Sequence, residues 1–319
     1  MMLLFCRGGE MKQLEIAKAG VVGAGLMGTG IAEVCALAGL PTVLVKATDG
    51  DPQAGLDRVK KSLERRLSRG KLTEQDVARA LENLTATADR DALADADLII
   101  ESIVEDLATK QALFADLAAR VPAHAVFASN TSTLRIRDIA DGGGRPERTI
   151  GLHFFSPVPA MSLVELAHLP ETAAGVVAAA EAFVAKLGKT AIPVLDSTGF
   201  MVNRLLVPYL LNAIQAYSEG LAGADQIDDA MKLGCGHPVG PLALADLIGL
   251  DVVYAMAKLL YRDFGEARYR PPALLRRLVQ DGHLGKKTRL GFFDYSTRPA
   301  VPNAQVWELI CGGKDRNAA

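Results

Sequence analysis

The sequence predicts an α/β protein in which a doubly wound sheet is followed by an all-α C-terminal domain. Three observations carry this. A short apolar run, Ala19-Gly20-Val21-Val22, leads into a glycine-rich turn, then a helical stretch, then a second apolar run at 42–45. Strand, turn, helix and strand in that order form a parallel crossover unit. Strand-like and helical segments go on alternating to about residue 196, the pattern of a sheet covered on both faces. Beyond that point strand signals nearly vanish while helical periodicity persists. A length of 319 residues fits two domains.

The elements follow in order. Residues 19–22 and 42–45 read as strands, and 31–38 as the helix between them, stopped at Gly39. Further strands are expected at 97–100, 125–128 and 149–153, with the clearest intervening helix at 110–119. Short strands at 162–166 and 190–194 flank an Ala-rich helix over 172–187. After Asp196-Ser197-Thr198-Gly199, helices are expected at 200–220, 225–233, 242–264 and 271–279. This gives a nucleotide-binding domain over 11–196 and a helical domain over 197–296, with loose termini at 1–10 and 297–319. Met11 is an alternative start.

The glycine-rich turn is Gly23-Ala24-Gly25-Leu26-Met27-Gly28, a GxGxxG between a strand and a helix. Each glycine has its own purpose: a tight turn, close approach of a pyrophosphate, and close helix–strand packing. The helix start adds free N–H groups and a positive dipole end. The loop with Leu26 and Met27 therefore reads as a Rossmann-type dinucleotide site. At the end of the second strand, an acid would hold the ribose hydroxyls of NAD. The residue there is Lys46, with Asp49 and Asp51 following. Its stem can cover the adenine, or its charge can meet the 2′-phosphate of NADP.

Composition narrows the class. The chain is 50% apolar and 23% charged with a formal charge of −2, so it is not a polybasic wrapper of nucleic acid. No uncharged apolar run reaches about 18 residues, so no membrane span is expected. Cys6, Cys35, Cys235 and Cys311 are scattered without metal spacing, consistent with a reduced cytoplasmic chain and no metal site.

Three further stretches carry chemistry. They are Ala128-Ser129-Asn130-Thr131-Ser132-Thr133, the run Gly151-Leu152-His153-Phe154-Phe155-Ser156-Pro157 leading to Leu163-Val164-Glu165, and Gly199-Phe200-Met201-Val202-Asn203-Arg204. With the glycine turn, Gly236-His237-Pro238-Val239-Gly240-Pro241, and the closing Gly291-Phe292-Phe293-Asp294-Tyr295, the chain resembles the L-3-hydroxyacyl-CoA dehydrogenase family over about 19–296. The resemblance includes the 3-hydroxybutyryl-CoA dehydrogenases. It implies that His153 is the catalytic acid/base and Glu165 its carboxylate partner. It also implies that Ser132 and Asn203 hold the substrate oxygen, and that Glu105, Lys110 and Asn130 lie near the cofactor.

The basic stretch Lys60, Lys61, Arg65, Arg66, Arg69 and Lys71 reads either as a solvated helix face or, by the resemblance, as a coenzyme A phosphate site with Ser62 and Arg69 nearest. Ser156, assigned to the substrate, stands where the family usually has Asn, and Lys46 where it usually has Asp. The expected reaction is NAD-dependent, reversible oxidation of a 3-hydroxyacyl thioester, with NADP admitted by Lys46. Alternatives are a carrier-tethered hydroxyacyl group, a free 3-hydroxy or sugar acid, and a non-catalytic nucleotide-binding protein. The active site is expected in the cleft between the domains, and a homodimer is expected through the Leu-rich helices.

Overall fold

The computed structural model describes residues 14–311; the expectations for 1–10, 312–319 and Cys6 lie outside the described residues. Apolar runs buried on both faces build the centre of the sheet. Its strands are β1 (Ala19–Val22), β2 (Thr42–Val45), β3 (Leu84–Thr87), β4 (Leu98–Glu101), β5 (Val126–Ser129), β6 (Thr149–Phe154), β7 (Leu163–His168) and β8 (Thr190–Leu195). The spatial order is β3-β2-β1-β4-β5-β6-β7-β8. Pairing is parallel except between β6 and β7.

Side chains alternate across this sheet as the pleat requires. Val21, Leu44, Ile100, Ala128 and Leu152 face one core, and Val22, Val43, Val45, Ile99 and Phe127 face the other. The first core is closed by α1 (Leu26–Leu37), α2 (Gln53–Ser68), α3 (Glu74–Glu82) and α6 (Ala174–Lys186). The second is closed by α4 (Leu107–Arg120) and α5 (Ile136–Gly143). Winding reverses between β1 and β4, and the crevice past their carboxyl ends is where such sheets bind ligands.

Departures from the sequence reading have local causes. Helix α1 begins at Leu26, well before the expected residue 31, because the glycines that lower helix propensity are tolerated by tertiary contact. Strand β3 went unread because Leu84-Thr85-Ala86-Thr87 is a mostly half-exposed edge with one buried leucine. Helix α3 announces itself only through its capping box, in which Thr73 and Asp76 satisfy each other's backbone N–H.

The chain parts into two compact units between Phe200 and Met201, near the boundary expected at 196. The second unit holds α7 (Val202–Ser218), α8 (Ala224–Cys235), α9 (Pro241–Ile248), α10 (Leu250–Phe264) and α11 (Ala273–Gln280). Its core includes Val207, Leu210, Ile214, Leu242, Val253 and Leu275. The single helix expected over 242–264 is broken at Gly249, whose φ of 105° no L side chain adopts comfortably. The helix expected from residue 200 starts at Val202, since Phe200 has φ 46°. The expected loose tail is a correction. A short pair, β9 (Phe293–Asp294) and β10 (Val301–Pro302), leads to α12 (Ala304–Cys311), and Val306 is fully buried in the helical core. No helix among the described residues is long and apolar enough to cross a membrane.

Two buried aspartates organise this unit. Asp228 accepts the Leu242 and Ala243 N–H groups at the start of α9. Asp246 accepts the N–H groups of Phe292 and Phe293 and the hydroxyl of Tyr295, tying the closing segment to α9. A Cβ at Gly291 would fall 2.0 Å from its carboxylate, so only glycine fits there.

Burial pushes the Asp246 carboxyl up to about 7 from its ordinary 3.8, against the pull of those donors, and the Asp228 charge adds to the rise. A raised folded value means the folded state holds the proton longer. The stabilisation is complete below the unfolded value and fades as pH rises towards 7. Asp246→Asn is therefore expected to start less stable but to lose less of its thermal midpoint between pH 4 and pH 7. Parallel pH dependence in the two proteins would contradict this.

Candidate active site

The glycine turn closes against its neighbours. Gly23 has φ 117°, and a Cβ there would lie 2.3 Å from the Ser102 carbonyl oxygen at the end of the neighbouring strand. At Gly28 a Cβ would meet the Gly23 carbonyl at 1.7 Å, so helix and turn pack backbone to backbone. Gly25 is different. Nothing lies within 4 Å of where its Cβ would be, so the absent side chain leaves an open cradle. Gly25 is also the N-cap of α1, with no side-chain cap and no acidic residue in the first turn. Leu26 and Met27 follow at the same helix start. The positive end of α1 is thus presented to a ligand, as a pyrophosphate requires.

At the end of β2, half-buried Lys46 donates from Nζ to Thr48 Oγ1 at 3.1 Å. Arg58, which the sequence reading did not single out, donates from α2 to the Ala24 carbonyl at 2.6 Å. Its only sequence signal is a cation one turn after Gly55, the residue that lets α2 press on Ala24.

The expected acid/base pair meets through strand register. His153 on β6 stands directly across from Glu165 on β7. Directly opposed residues on antiparallel strands share a face with Cβ atoms about 5 Å apart. His153 Nδ1 lies 2.7 Å from Glu165 Oε2 with both side chains buried. A carboxylate this close requires an N–H at Nδ1, so Nε2 of the neutral ring carries the lone pair. Ser132 Oγ lies 3.1 Å from that nitrogen. Phe155 and Phe200 flank the imidazole, with ring centroids 4.5 and 5.7 Å away.

A chain of charges, buried at Glu101 and Lys110 and reaching the surface at Glu105, holds Ser132 in place. Glu101, fully buried at the end of β4, accepts from the Ile103 N–H at 2.7 Å, Lys110 Nζ at 2.6 Å and Ser129 Oγ at 2.6 Å. Lys110 also lies 3.3 Å from Glu105. Glu105 in turn accepts from the Thr131 and Thr133 hydroxyls and from the Ser132 and Thr133 N–H groups. Burial pushes the Glu105 carboxyl up, but Lys110 and the two hydroxyls outweigh it and hold it below its ordinary value. Lys110, expected beside the cofactor, is 1% exposed and engaged by both carboxylates, so what it visibly does is position the loop. Glu101 was missed by the sequence reading, because a glutamate closing an apolar strand looks like its solvent end.

The remaining expected residues are dispersed. Asn130 accepts the Phe154 N–H at 2.9 Å and so laces the ends of β5 and β6 together. Ser156 is exposed just beyond β6, in a connection pinned by Lys189, which donates to the Val158 and Met161 carbonyls. Ser62 is half-buried on α2 and Arg69 exposed at its end. Arg66 is committed to buried Glu33. Asn203 belongs to the first turn of α7, in the helical unit.

Residues 18–197 match the family described as 3-hydroxyacyl-CoA dehydrogenase, NAD binding domain, and residues 199–295 match 3-hydroxyacyl-CoA dehydrogenase, C-terminal domain. A 3-hydroxybutyryl-CoA dehydrogenase of Mycobacterium tuberculosis is 46% identical over 282 residues, 88% of this chain and 99% of that one. A mitochondrial hydroxyacyl-coenzyme A dehydrogenase of Rattus norvegicus is 39% identical over 292 residues, 89% of this chain and 93% of that one. Among solved structures, an (S)-3-hydroxybutyryl-CoA dehydrogenase from Ralstonia eutropha superposes with a TM-score of 0.86 at 43% identity, covering 89% of this chain and all of that one, 100%.

The buried pair can be tested apart from chemistry. Lys110→Met leaves the Glu101 carboxylate buried beside an apolar side chain. Removing one partner of such a pair costs about 3–5 kcal/mol. Urea unfolding is expected to show a loss of that size, and an unchanged midpoint would reject the network as a structural element.

Proposed function

Since the chain belongs to the 3-hydroxyacyl-CoA dehydrogenase family, we propose that it oxidises 3-hydroxyacyl-CoA with His153 as acid/base and Glu165 as its orienting carboxylate. The reaction is the NAD-dependent, reversible conversion of a 3-hydroxyacyl-CoA to the 3-ketoacyl-CoA. The observation carrying the residue roles is the cross-strand pair, with Nδ1 held by Glu165 at 2.7 Å and Nε2 met by Ser132 at 3.1 Å.

The open cradle at Gly25 and the uncapped start of α1 fit a dinucleotide pyrophosphate. Bound NAD supplies the hydride acceptor for carbon 3. His153 Nε2 takes the hydroxyl proton as the carbonyl forms. Glu165 keeps the ring in the tautomer that leaves Nε2 free to accept, and its charge offsets the imidazolium. The Ser132 hydroxyl, beside Nε2, hydrogen-bonds the substrate oxygen. In the reducing direction His153 returns the proton. Asn203 is assigned to the same substrate oxygen on its sequence motif.

Coenzyme A is assigned to the basic face of α2, with Ser62 and Arg69. Lys60, Lys61, Arg65 and Lys71 add positive charge there, whereas Arg66 is spent on Glu33. NAD is used as cofactor, and NADP is admitted as well because Lys46 is not an acid. A homodimer through the helical unit is supported by exposed Leu205, Leu221, Leu233 and Leu247. A cytoplasmic setting belongs to the same reading, in keeping with the free thiols of Cys35 and Cys235.

His153→Gln is expected to fold and bind NADH normally while turnover falls roughly 10²–10⁴-fold. Near-wild-type turnover under chemistry-limited conditions would remove the assignment. Remote binding energy from the thioester arm aligns the reacting carbon. Free 3-hydroxybutyrate is therefore expected to show a much lower kcat/KM than its CoA ester. Equal values would favour a free-acid enzyme, and a carrier-bound ester outperforming the CoA ester would favour a tethered substrate.

A further inference from the structure

We propose that Lys46 and Arg58 form a binding site for the 2′-phosphate of NADP(H), so that the protein takes both dinucleotides. This rests on the reading above that the glycine turn binds a dinucleotide. In this fold the adenosine ribose lies at the end of the second strand, beside the turn. A carboxylate there holds both ribose hydroxyls and repels a 2′-phosphate, whereas a cation does the reverse. Here the first residue after β2 is Lys46, anchored by its N–H to the Thr87 carbonyl at 2.9 Å. The following loop curls back along its stem, so that a Cβ on Gly50 would lie 3.2 Å from Lys46 Cε.

The second cation comes from α2. Gly55 packs against the turn so closely that a Cβ there would lie 3.0 Å from the Cβ of Ala24. One turn further on, exposed Arg58 reaches the same Ala24 and donates one N–H to its carbonyl, between Gly23 and Gly25. A guanidinium has five N–H donors in a fork suited to phosphate, and the others are not needed by that single bond.

Two nearby carboxylates are engaged with Gln53. Asp51 accepts the Gln53 N–H, and Asp57 accepts the Gln53 side-chain amide. Among the described residues, neither Lys46 nor Arg58 is paired with a carboxylate. Asp49 is exposed on the loop. Along the sequence Lys46 looks outweighed by Asp49 and Asp51. In space the balance changes, because α2 brings an arginine to the turn.

The test compares 5′-AMP with 2′,5′-ADP, which differ only in the 2′-phosphate, by calorimetric titration of the full-length protein. Each new hydrogen bond between charged groups is worth about 1.5–3 kcal/mol, roughly ten- to hundredfold in affinity. The 2′-phosphate is expected to tighten binding by about tenfold or more. Arg58→Gln and Lys46→Gln should each remove most of that gain, the ratio of 2′,5′-ADP to 5′-AMP affinity falling towards one. The kcat/KM ratio of NADP to NAD should fall in the same variants.

Equal binding of the two nucleotides by the unaltered protein overturns the proposal. So does an Arg58→Gln that weakens both equally, which would make Arg58 a support for the turn alone. Failure of 5′-AMP and NADH to bind at all would instead overturn the dinucleotide reading itself, and this inference with it.

Discussion

One buried carboxylate sets the geometry on which the site depends. Glu101 ends a central strand where an apolar residue would have been the simplest choice. It gathers a backbone N–H just beyond β4, a hydroxyl from the neighbouring strand and the ammonium of Lys110 from α4. The cost of burying it is offset only because every partner is a strong donor. Through Lys110 and Glu105 the same charges reach the loop bearing Ser132, and so Nε2 of His153. A loop of small hydroxyl residues would otherwise be among the softest parts of the sheet edge. Here it is braced by four hydrogen bonds to one carboxylate oxygen, Oε1 of Glu105.

The two units rely on the same device. Asp228 and Asp246 in the helical unit each accept two backbone N–H groups from a segment distant in sequence. In the sheet unit Asp196 does the same for Ile136 and Arg137 at the start of α5. Asp228 and Asp196 satisfy the free N–H groups of a helix start, and Asp246 those at the start of β9. Asp228 and Asp246 are also packed tightly, at Gly240 and Gly291, where a Cβ would collide with the aspartate.

Much of this was legible in the sequence because its cause is local. The strand–glycine turn–helix and the β6–β7 return follow from patterning, and the His153–Glu165 spacing spans one strand, a turn and the strand back. What was illegible has tertiary causes. Nothing near Glu101 in sequence says it is buried, since its partners come from three separate segments. Arg58 looks like one more surface cation until Gly55 brings its helix onto the turn. The helix break at Gly249 was overlooked because its flanks are strongly helical. The folded tail was overlooked because Val306 finds its burial among residues a hundred positions earlier, such as Val207.

The register of β6 on β7 is gauged by a small pair, Gly151 opposite Ala167, beneath Ile136. A Cβ on Gly151 would lie 2.9 Å from Ile136 and 3.0 Å from the Ala167 methyl. A slip of one residue would turn Glu165 to the opposite face of the sheet, and a slip of two would bring a bulkier side chain to the crowded position. The His153–Glu165 contact is therefore aligned when the hairpin pairs in this register. A hairpin paired one residue out would separate His153 from Glu165 whatever the shape of the loop joining the strands.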